Sequence, residues 1–163
     1  MALAQCGDPS LAASQREVRY PAALRSRCDF VTPSPNPWAI EVKMLRMLGD
    51  NGALNDNMLK HILSPYPAHH SAVTDCEKLI ASGIEARKGI LIFGYDHDNW
   101  PMDPAIEAFE VLAERRVNLT RAVPATVSDL VHPILREGRV FAWEITPCTM
   151  PEPQRKAKLR GAP

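Results

Sequence analysis

The sequence predicts an α/β or α+β protein in which a sheet is flanked by helices on both sides. Strand-like and helix-like segments alternate over the second half of the chain, a pattern typical of a sheet covered by helices. The apolar run KGILIFGY, residues 88–95, is typical of a strand buried on both faces. A chain of 163 residues is long enough for one hydrophobic core and short for two, so we expect one domain over residues 1–150.

The first part of the chain predicts a short helix and then strands. Asp8 and Pro9 favour a helix start in DPSLAASQREV. Strands are expected around residues 17–20 and in RCDFVTP, residues 27–33. The turn-rich segment PSPNP then leads directly into the strand WAIEVK, residues 38–43. Two strands joined by a short turn predict a hairpin.

Helical periodicity marks three later segments. Asn55 is an N-cap candidate before an apolar stripe that ends at Ser64. Ser71 is the cap candidate of a helix that runs to Gly83, and Asp103 opens another in PAIEAFEVLAERR. The alternating segment RVFAWEI, residues 139–145, predicts a final strand, and residues 151–163 are expected to form an irregular basic tail.

Composition and charge exclude several classes of protein. Nineteen basic and nineteen acidic residues leave no net charge, so no global field draws the chain onto nucleic acid. No apolar run reaches the roughly 18–20 residues of a membrane span, and the start MALAQCGDPS is unlike a signal peptide. We therefore expect a cytoplasmic protein without membrane attachment. The chain has no GxGxxG, P-loop, GxSxG or HExxH motif.

Two charged residues interrupt the apolar strand WAIEVK. Successive side chains of a strand point to opposite faces, so Glu41 and Lys43 share a face. A hairpin of this length can bring Asp29 beside Glu41. Two carboxylates with open positions suit Mg²⁺, and a lysine beside the ion can orient or help deprotonate an attacking water. The alternative is an exposed ion pair of Glu41 and Lys43, with Asp29 paired to Arg25 or Arg27.

The arrangement of Asp29, a short gap and EVK in an apolar strand, followed by a helix and a buried strand, resembles the PD-(D/E)xK nuclease superfamily. The resemblance implies an α/β fold with a restriction-endonuclease-like αβββαβ core over roughly residues 10–95, in which a mixed central sheet is flanked by helices, and an extra C-terminal helix and strand. It also implies phosphodiester hydrolysis that depends on Mg²⁺ or Mn²⁺. Asp29 and Glu41 would then be metal ligands, the Val42 carbonyl a further ligand, and Lys43 the residue that serves the water.

The resemblance also suggests one further candidate metal ligand, and the sequence differs from the superfamily pattern in two places. Some members of the superfamily carry an additional acidic residue on or after the first helix, and Glu17 matches it here. Cys28 stands where the name of the superfamily has proline. An unusually long stretch separates Lys43 from the helix predicted at residues 71–82.

Several other side chains are candidates for binding substrate. Ser71, Thr74 and Lys78 lie near a helix start, where backbone N–H groups and a lysine favour phosphate. Capping and compensation of the helix dipole are the alternative roles there. Arg46 and Lys60 are candidates because of their proximity to the predicted site.

We expect nucleic acid as the substrate, with DNA favoured over RNA, and a homodimer if both strands are cut. One alternative is a nuclease-like fold that only binds nucleic acid or acts as a scaffold. Another is an α/β protein that binds a small phosphorylated ligand near Asp96 and His97, where acidic residues follow a buried strand.

Overall fold

The computed structural model of the chain describes residues 9–49, 51–95, 97, 99–130 and 137–148. The strands are β1 Gln15–Tyr20, β2 Ala23–Val31, β3 Trp38–Leu45, β4 Arg87–Gly94, β5 Val117–Arg121, β6 Ala125–Val127 and β7 Gly138–Pro147. The helices are α1 Pro9–Ala12, α2 Asp56–Leu63, α3 Ala72–Ile80 and α4 Asp103–Ala113, with a 3₁₀ turn at Pro67–His69.

All these strands belong to one mixed sheet. Across the sheet their order is β1, β2, β3, β4, β7 and β5, and β6 pairs with another part of β7. The β3–β4 pair is parallel and the other pairs are antiparallel. Parallel neighbours need a crossover connection, and here that connection carries α2 and α3. The predicted α/β class is therefore confirmed.

The predicted hairpin is present. β2 and β3 pair antiparallel through Phe30–Ile40 and Val31–Ala39, across the turn that the proline-rich segment forms. The predicted first helix is shorter than expected. α1 ends at Ala12, and the chain is already a strand at Gln15. Its apolar face is mostly alanine, which leaves little surface for a longer helix to bury, whereas β1 gains a complete partner in β2.

The three longer helices form one layer. α2, α3 and α4 contact one another, and α3 packs on β3, β4 and β7. On the opposite face, Leu11 of the short α1 lines a groove together with Trp38 and Leu91. Among the described residues, the expectation of helices on both faces is thus met on this face by a helix of four residues. No helix of the described part of the chain has the length and apolar character needed to cross a membrane.

The core lies between the sheet and the helical layer. Ile90 and Ile92 of β4 are buried, as are Phe141 and Trp143 of β7. Phe109 of α4 meets the Trp143 ring edge-on, at 4.8 Å between ring centres. The apolar run of β4 alternates in burial, because Leu91 and Phe93 point to the groove side and stay partly exposed. The predicted burial of this strand on both faces is therefore only partly met.

Gly94 ends β4 at a point where two backbones are in contact. A Cβ atom at this position would lie 1.9 Å from the carbonyl oxygen of Leu45, its partner on β3. We expect Gly94→Ala to lower the free energy of unfolding by at least about 2 kcal/mol, because the clash involves backbone that cannot move aside. Gly89→Ala is the matched control on the same strand, since its Cβ would make only ordinary contacts of 3.5 Å or more. Equal stability of the two variants in urea denaturation would contradict this account.

Candidate functional site: a buried charged cluster between β3 and α3

A cluster of polar side chains lies between the sheet and the helical layer. We call it the charged cluster and define it as five residues: Tyr20 at the end of β1, Glu41 and Lys43 on β3, and Asp75 and Lys78 on α3. Glu41 and Lys43 share a face of β3, as the alternation of the strand predicts. Asp75 and Lys78 are three residues apart on α3, so they lie on the same side of the helix.

The start of α3 is fixed by hydroxyl groups. The Ser71 hydroxyl accepts a hydrogen bond from the Thr74 N–H at 3.2 Å and donates one to the Ser64 carbonyl at 2.5 Å. The Thr74 hydroxyl donates to the Ser71 carbonyl at 3.0 Å. Ser71 and Thr74 are buried, and these bonds engage both of their hydroxyl groups in building the helix start. The capping role weighed for them is therefore present, and the structure places neither hydroxyl at an exposed binding surface.

Asp75 connects the two lysines of the charged cluster. Its side chain is about 1% exposed, and one carboxylate oxygen lies 2.6 Å from the Lys43 ammonium. The other oxygen lies 2.8 Å from the Lys78 ammonium. Lys78 also approaches Glu41 at 3.5 Å. The cluster therefore contains two carboxylates and two ammonium groups, which compensate each other's charge in a largely buried position.

Glu41 is a buried carboxyl of the charged cluster whose pKa is shifted. Burial raises its pKa from 4.5 to about 7, and the charges of Asp75 and Asp29 add to this rise. The hydrogen bond from the Tyr20 hydroxyl and the charge of Lys78 oppose the rise. Burial and the neighbouring Glu41 raise the pKa of Tyr20 far above its ordinary value, so the phenol stays protonated and can donate. Glu41 is thus poised to change its charge near neutral pH.

Lys78 is held in its charged form. Burial lowers its pKa, but the contacts with Asp75 and Glu41 outweigh burial and raise the pKa above the ordinary value of 10.5. An ammonium group that stays charged at any pH near neutrality can attract an anion such as phosphate.

Asp29 lies at the edge of the charged cluster. Its carboxylate accepts the N–H of Val42 at 2.6 Å, next to the end of the β2–β3 pairing. Asp29 therefore lies beside the strand that carries Glu41, and its charge contributes to the raised pKa of Glu41. The N–H and C=O of one strand residue point to the same neighbouring strand, so the Val42 carbonyl also faces β2.

These donors fit a hard cation. Mg²⁺ is typically held by one or two carboxylates and keeps waters for its other positions. Asp29, Glu41 and the Val42 carbonyl offer two carboxylates and one carbonyl oxygen on adjacent strands. A zinc site would need three or four His, Cys, Asp or Glu ligands, and the described residues contain no metal-binding group of three or more such side chains.

The other predicted site residues lie outside the charged cluster as defined and differ in burial. Arg46 follows β3 and is partly buried, and Lys60 on α2 is exposed to solvent. Glu17 on β1 is exposed and has φ 52°, a backbone conformation that residues other than glycine rarely adopt. His97 is partly buried, but Asp96 lies outside the described residues, so the structure describes only half of the alternative site after β4.

Tyr20 and Asp75 were missed in the sequence analysis. Asp75 is in the first turn of its helix, where an acidic residue normally compensates the helix dipole. It also lies three residues after Ala72 and four before Leu79, both of which are buried. That spacing places Asp75 on the core side of α3 and was the available signal.

A second concave feature lies on the other face of the sheet. This groove encloses about 780 Å³ and is lined mainly by apolar groups, among them Leu11, Trp38 and Leu91. The Arg87 guanidinium lies 4.0 Å from the centre of the Trp38 ring and forms a two-pronged hydrogen bond with Glu144. The Arg87–Glu144 pair of the groove is exposed, and the hydrogen bond from Arg87 lowers the pKa of Glu144. The charged cluster instead contains buried charges and a carboxyl whose pKa is raised by burial, so we regard the cluster as the candidate site.

Comparisons of the chain with protein-family models, with curated proteins and with solved structures gave no match. The interpretation of the site therefore depends on the geometry of its own residues.

Proposed function

We propose that the protein hydrolyses phosphodiester bonds in nucleic acid, with DNA favoured over RNA, using Mg²⁺ or Mn²⁺ held by Asp29 and Glu41. The observation that carries the proposal is the position of Asp29. Its carboxylate accepts a hydrogen bond from the Val42 N–H at 2.6 Å, and Val42 stands between Glu41 and Lys43 in β3. The element order, a short helix, three strands, a helical crossover and a parallel strand, also supports the αβββαβ core of the PD-(D/E)xK superfamily.

Each residue has a distinct task in this proposal. Asp29 and Glu41 would hold the ion, with the Val42 carbonyl as a further ligand. When bound, such an ion polarises the phosphate and stabilises its developing negative charge. Lys43 would orient the attacking water. Lys78 would bind a phosphate oxygen, because its contacts with two carboxylates keep it charged.

The exposure of the charged cluster suits a phosphate ligand. Lys43 and Lys78 are 20% and 28% exposed, whereas Glu41 and Asp75 lie beneath them. A phosphate that approaches from solvent would therefore meet the two ammonium groups first. This local charge would attract the substrate although the chain as a whole has no net charge.

One observation favours a second candidate function, a nuclease-like fold that binds nucleic acid without cutting it. Glu41, Asp75 and both lysines already compensate one another. A cluster that is satisfied in this way can be stable without a metal ion, as a binding or scaffold module requires.

Metal binding tests the proposal directly. We expect calorimetry to show Mn²⁺ binding by the wild type, and we expect the same protein to nick plasmid DNA when Mn²⁺ is added. Glu41→Gln and Asp29→Asn should each lose both properties, since each removes one anionic ligand. Glu144→Gln is the matched control, because Glu144 pairs with Arg87 on the opposite face of the sheet.

The results separate the two candidate functions. Mn²⁺ binding without cleavage of plasmid, linear or single-stranded DNA or of RNA would favour the binding module. Absence of binding at millimolar Mn²⁺, or nicking that survives Glu41→Gln, would contradict the proposed metal site.

A further inference from the structure

Asp75 occupies an unusual position for a carboxylate. It is fully buried in the first turn of α3, between two lysines that come from different elements of the fold. Its two oxygens lie 2.6 Å from Lys43 on β3 and 2.8 Å from Lys78 on its own helix. Neither lysine is a fully solvated surface partner, because the side chains of Lys43 and Lys78 are only 20% and 28% exposed.

The backbone around Asp75 belongs to a capped and buried helix start. The Asp75 N–H donates to the Ser71 carbonyl at 2.8 Å, within the capped first turn of α3. Neighbouring Val73 and Cys76 are buried in the core. The carboxylate is therefore presented from a fixed point of the fold.

Lysine side chains need such an anchor to act from a defined position. The ammonium group is carried by a flexible stem of four methylene groups, and solvent competes strongly for it. A lysine at the edge of a buried site tends to extend its charged end into water. A fixed carboxylate at 2.6 Å opposes this tendency and sets the direction in which the ammonium group points.

We propose that Asp75 is a positioning residue that holds the ammonium groups of Lys43 and Lys78 beside Glu41. This inference rests on the proposed function, in which Lys43 serves the water and Lys78 binds a phosphate oxygen. Asp75 does not touch the substrate or the ion in this arrangement. It acts through the two lysines, because its single carboxylate pairs with Lys43 of the sheet and with Lys78 of the helix.

The first measurement observes the lysines and does not depend on activity. Ammonium groups that exchange freely with water disappear from proton–nitrogen correlation spectra near neutral pH, whereas ammonium groups held in buried ion pairs remain visible. We expect two persistent lysine signals in the wild-type protein. Lys43→Met and Lys78→Met should each remove one signal and thereby assign it. Asp75→Asn should weaken or remove both.

The second measurement follows catalysis in the same samples. Asp75→Asn should lower the single-turnover cleavage rate by about 10- to 100-fold, the range typical for residues that orient the groups of a metal site. The affinity for Mn²⁺ should change far less than the rate, because Asp75 is not one of the proposed ligands. Glu77→Gln is the matched control on α3, since Glu77 is half exposed and pairs with Arg116. It should keep both lysine signals and the wild-type rate.

The outcomes distinguish this inference from the proposed function. Wild-type spectra without persistent signals from Lys43 and Lys78 would overturn the positioning role even if Asp75→Asn does not fold. Loss of both signals with an unchanged cleavage rate would also overturn it. A wild type that binds no metal and cuts nothing would overturn the proposed function and the catalytic part of the inference, and the spectra would then still report whether Asp75 holds the lysines.

Discussion

Lys43→Met is expected to lower the rate of DNA cleavage by about 10²- to 10⁴-fold, the usual contribution of a group that assists proton transfer. Binding of Mn²⁺ should persist, because Lys43 is not one of the proposed ligands. The fold should also persist. Asp75 retains Lys78 at 2.8 Å, so the substitution leaves no buried carboxylate without a cation. Single-turnover kinetics and calorimetry on the same preparation check both parts.

Lys88→Met provides the control for this substitution. Lys88 lies on β4 and donates to the carbonyls of Ile84 and Ala86, away from the charged cluster. It should leave cleavage close to the wild-type rate. Loss of metal binding together with cleavage in Lys43→Met would mean that Lys43 supports the site as a whole, and an unchanged rate would remove it from the mechanism.

Glu41→Gln is expected to stabilise the metal-free protein at alkaline pH. The folded-state pKa of Glu41 is about 7, above the ordinary value of 4.5. The contribution of protonated Glu41 to the free energy of unfolding is complete below about pH 4.5. This contribution is lost as the pH rises through about 7, because the folded protein must then ionise a buried carboxyl. Glutamine carries no charge at any pH. We expect a gain of roughly 3 kcal/mol near pH 8.5, since one pKa unit corresponds to about 1.4 kcal/mol.

Urea denaturation in the presence of a chelator measures this effect. The gain should be much smaller near pH 5, at which the folded wild type carries a mostly protonated Glu41. Glu77→Gln, an exposed substitution on α3, should show no comparable change with pH. Added Mg²⁺ should stabilise the wild type and not Glu41→Gln, because only the wild type offers the ligand. A gain of equal size at both pH values would show that titration of Glu41 is not its cause.

Local signals were sufficient to predict the strand part of the site. Alternation along β3 placed Glu41 and Lys43 on one face, and the proline-rich turn placed β2 beside β3. These inferences succeed because both depend on neighbours within about twelve residues, where chain geometry limits the options. Asp29 accordingly lies beside the strand of Glu41, at its Val42 N–H.

Long-range packing decided what the sequence did not reveal. Tyr20 meets Glu41 across 21 positions of the chain, and Asp75 reaches Lys43 from the crossover. Which polar residue of a helix faces the sheet depends on how the helix docks, and helical periodicity alone does not fix that orientation. β5 and β6 were missed for a similar reason, because both are largely exposed segments that pair with β7.

The crossover between β3 and β4 has a consequence for the order of folding. The charged cluster combines residues from before it, on β3, with residues inside it, on α3. β1, β2 and β3 can form a meander from local contacts, whereas the parallel β3–β4 pair must close a loop over residues 46–86 first. Lys78 and Asp75 are three residues apart on α3 and can pair as soon as that helix forms. We expect Lys43 to meet Asp75, and Glu41 to meet Lys78, only in the late steps of folding, so that an incompletely folded chain has strands and a hairpin but no assembled site.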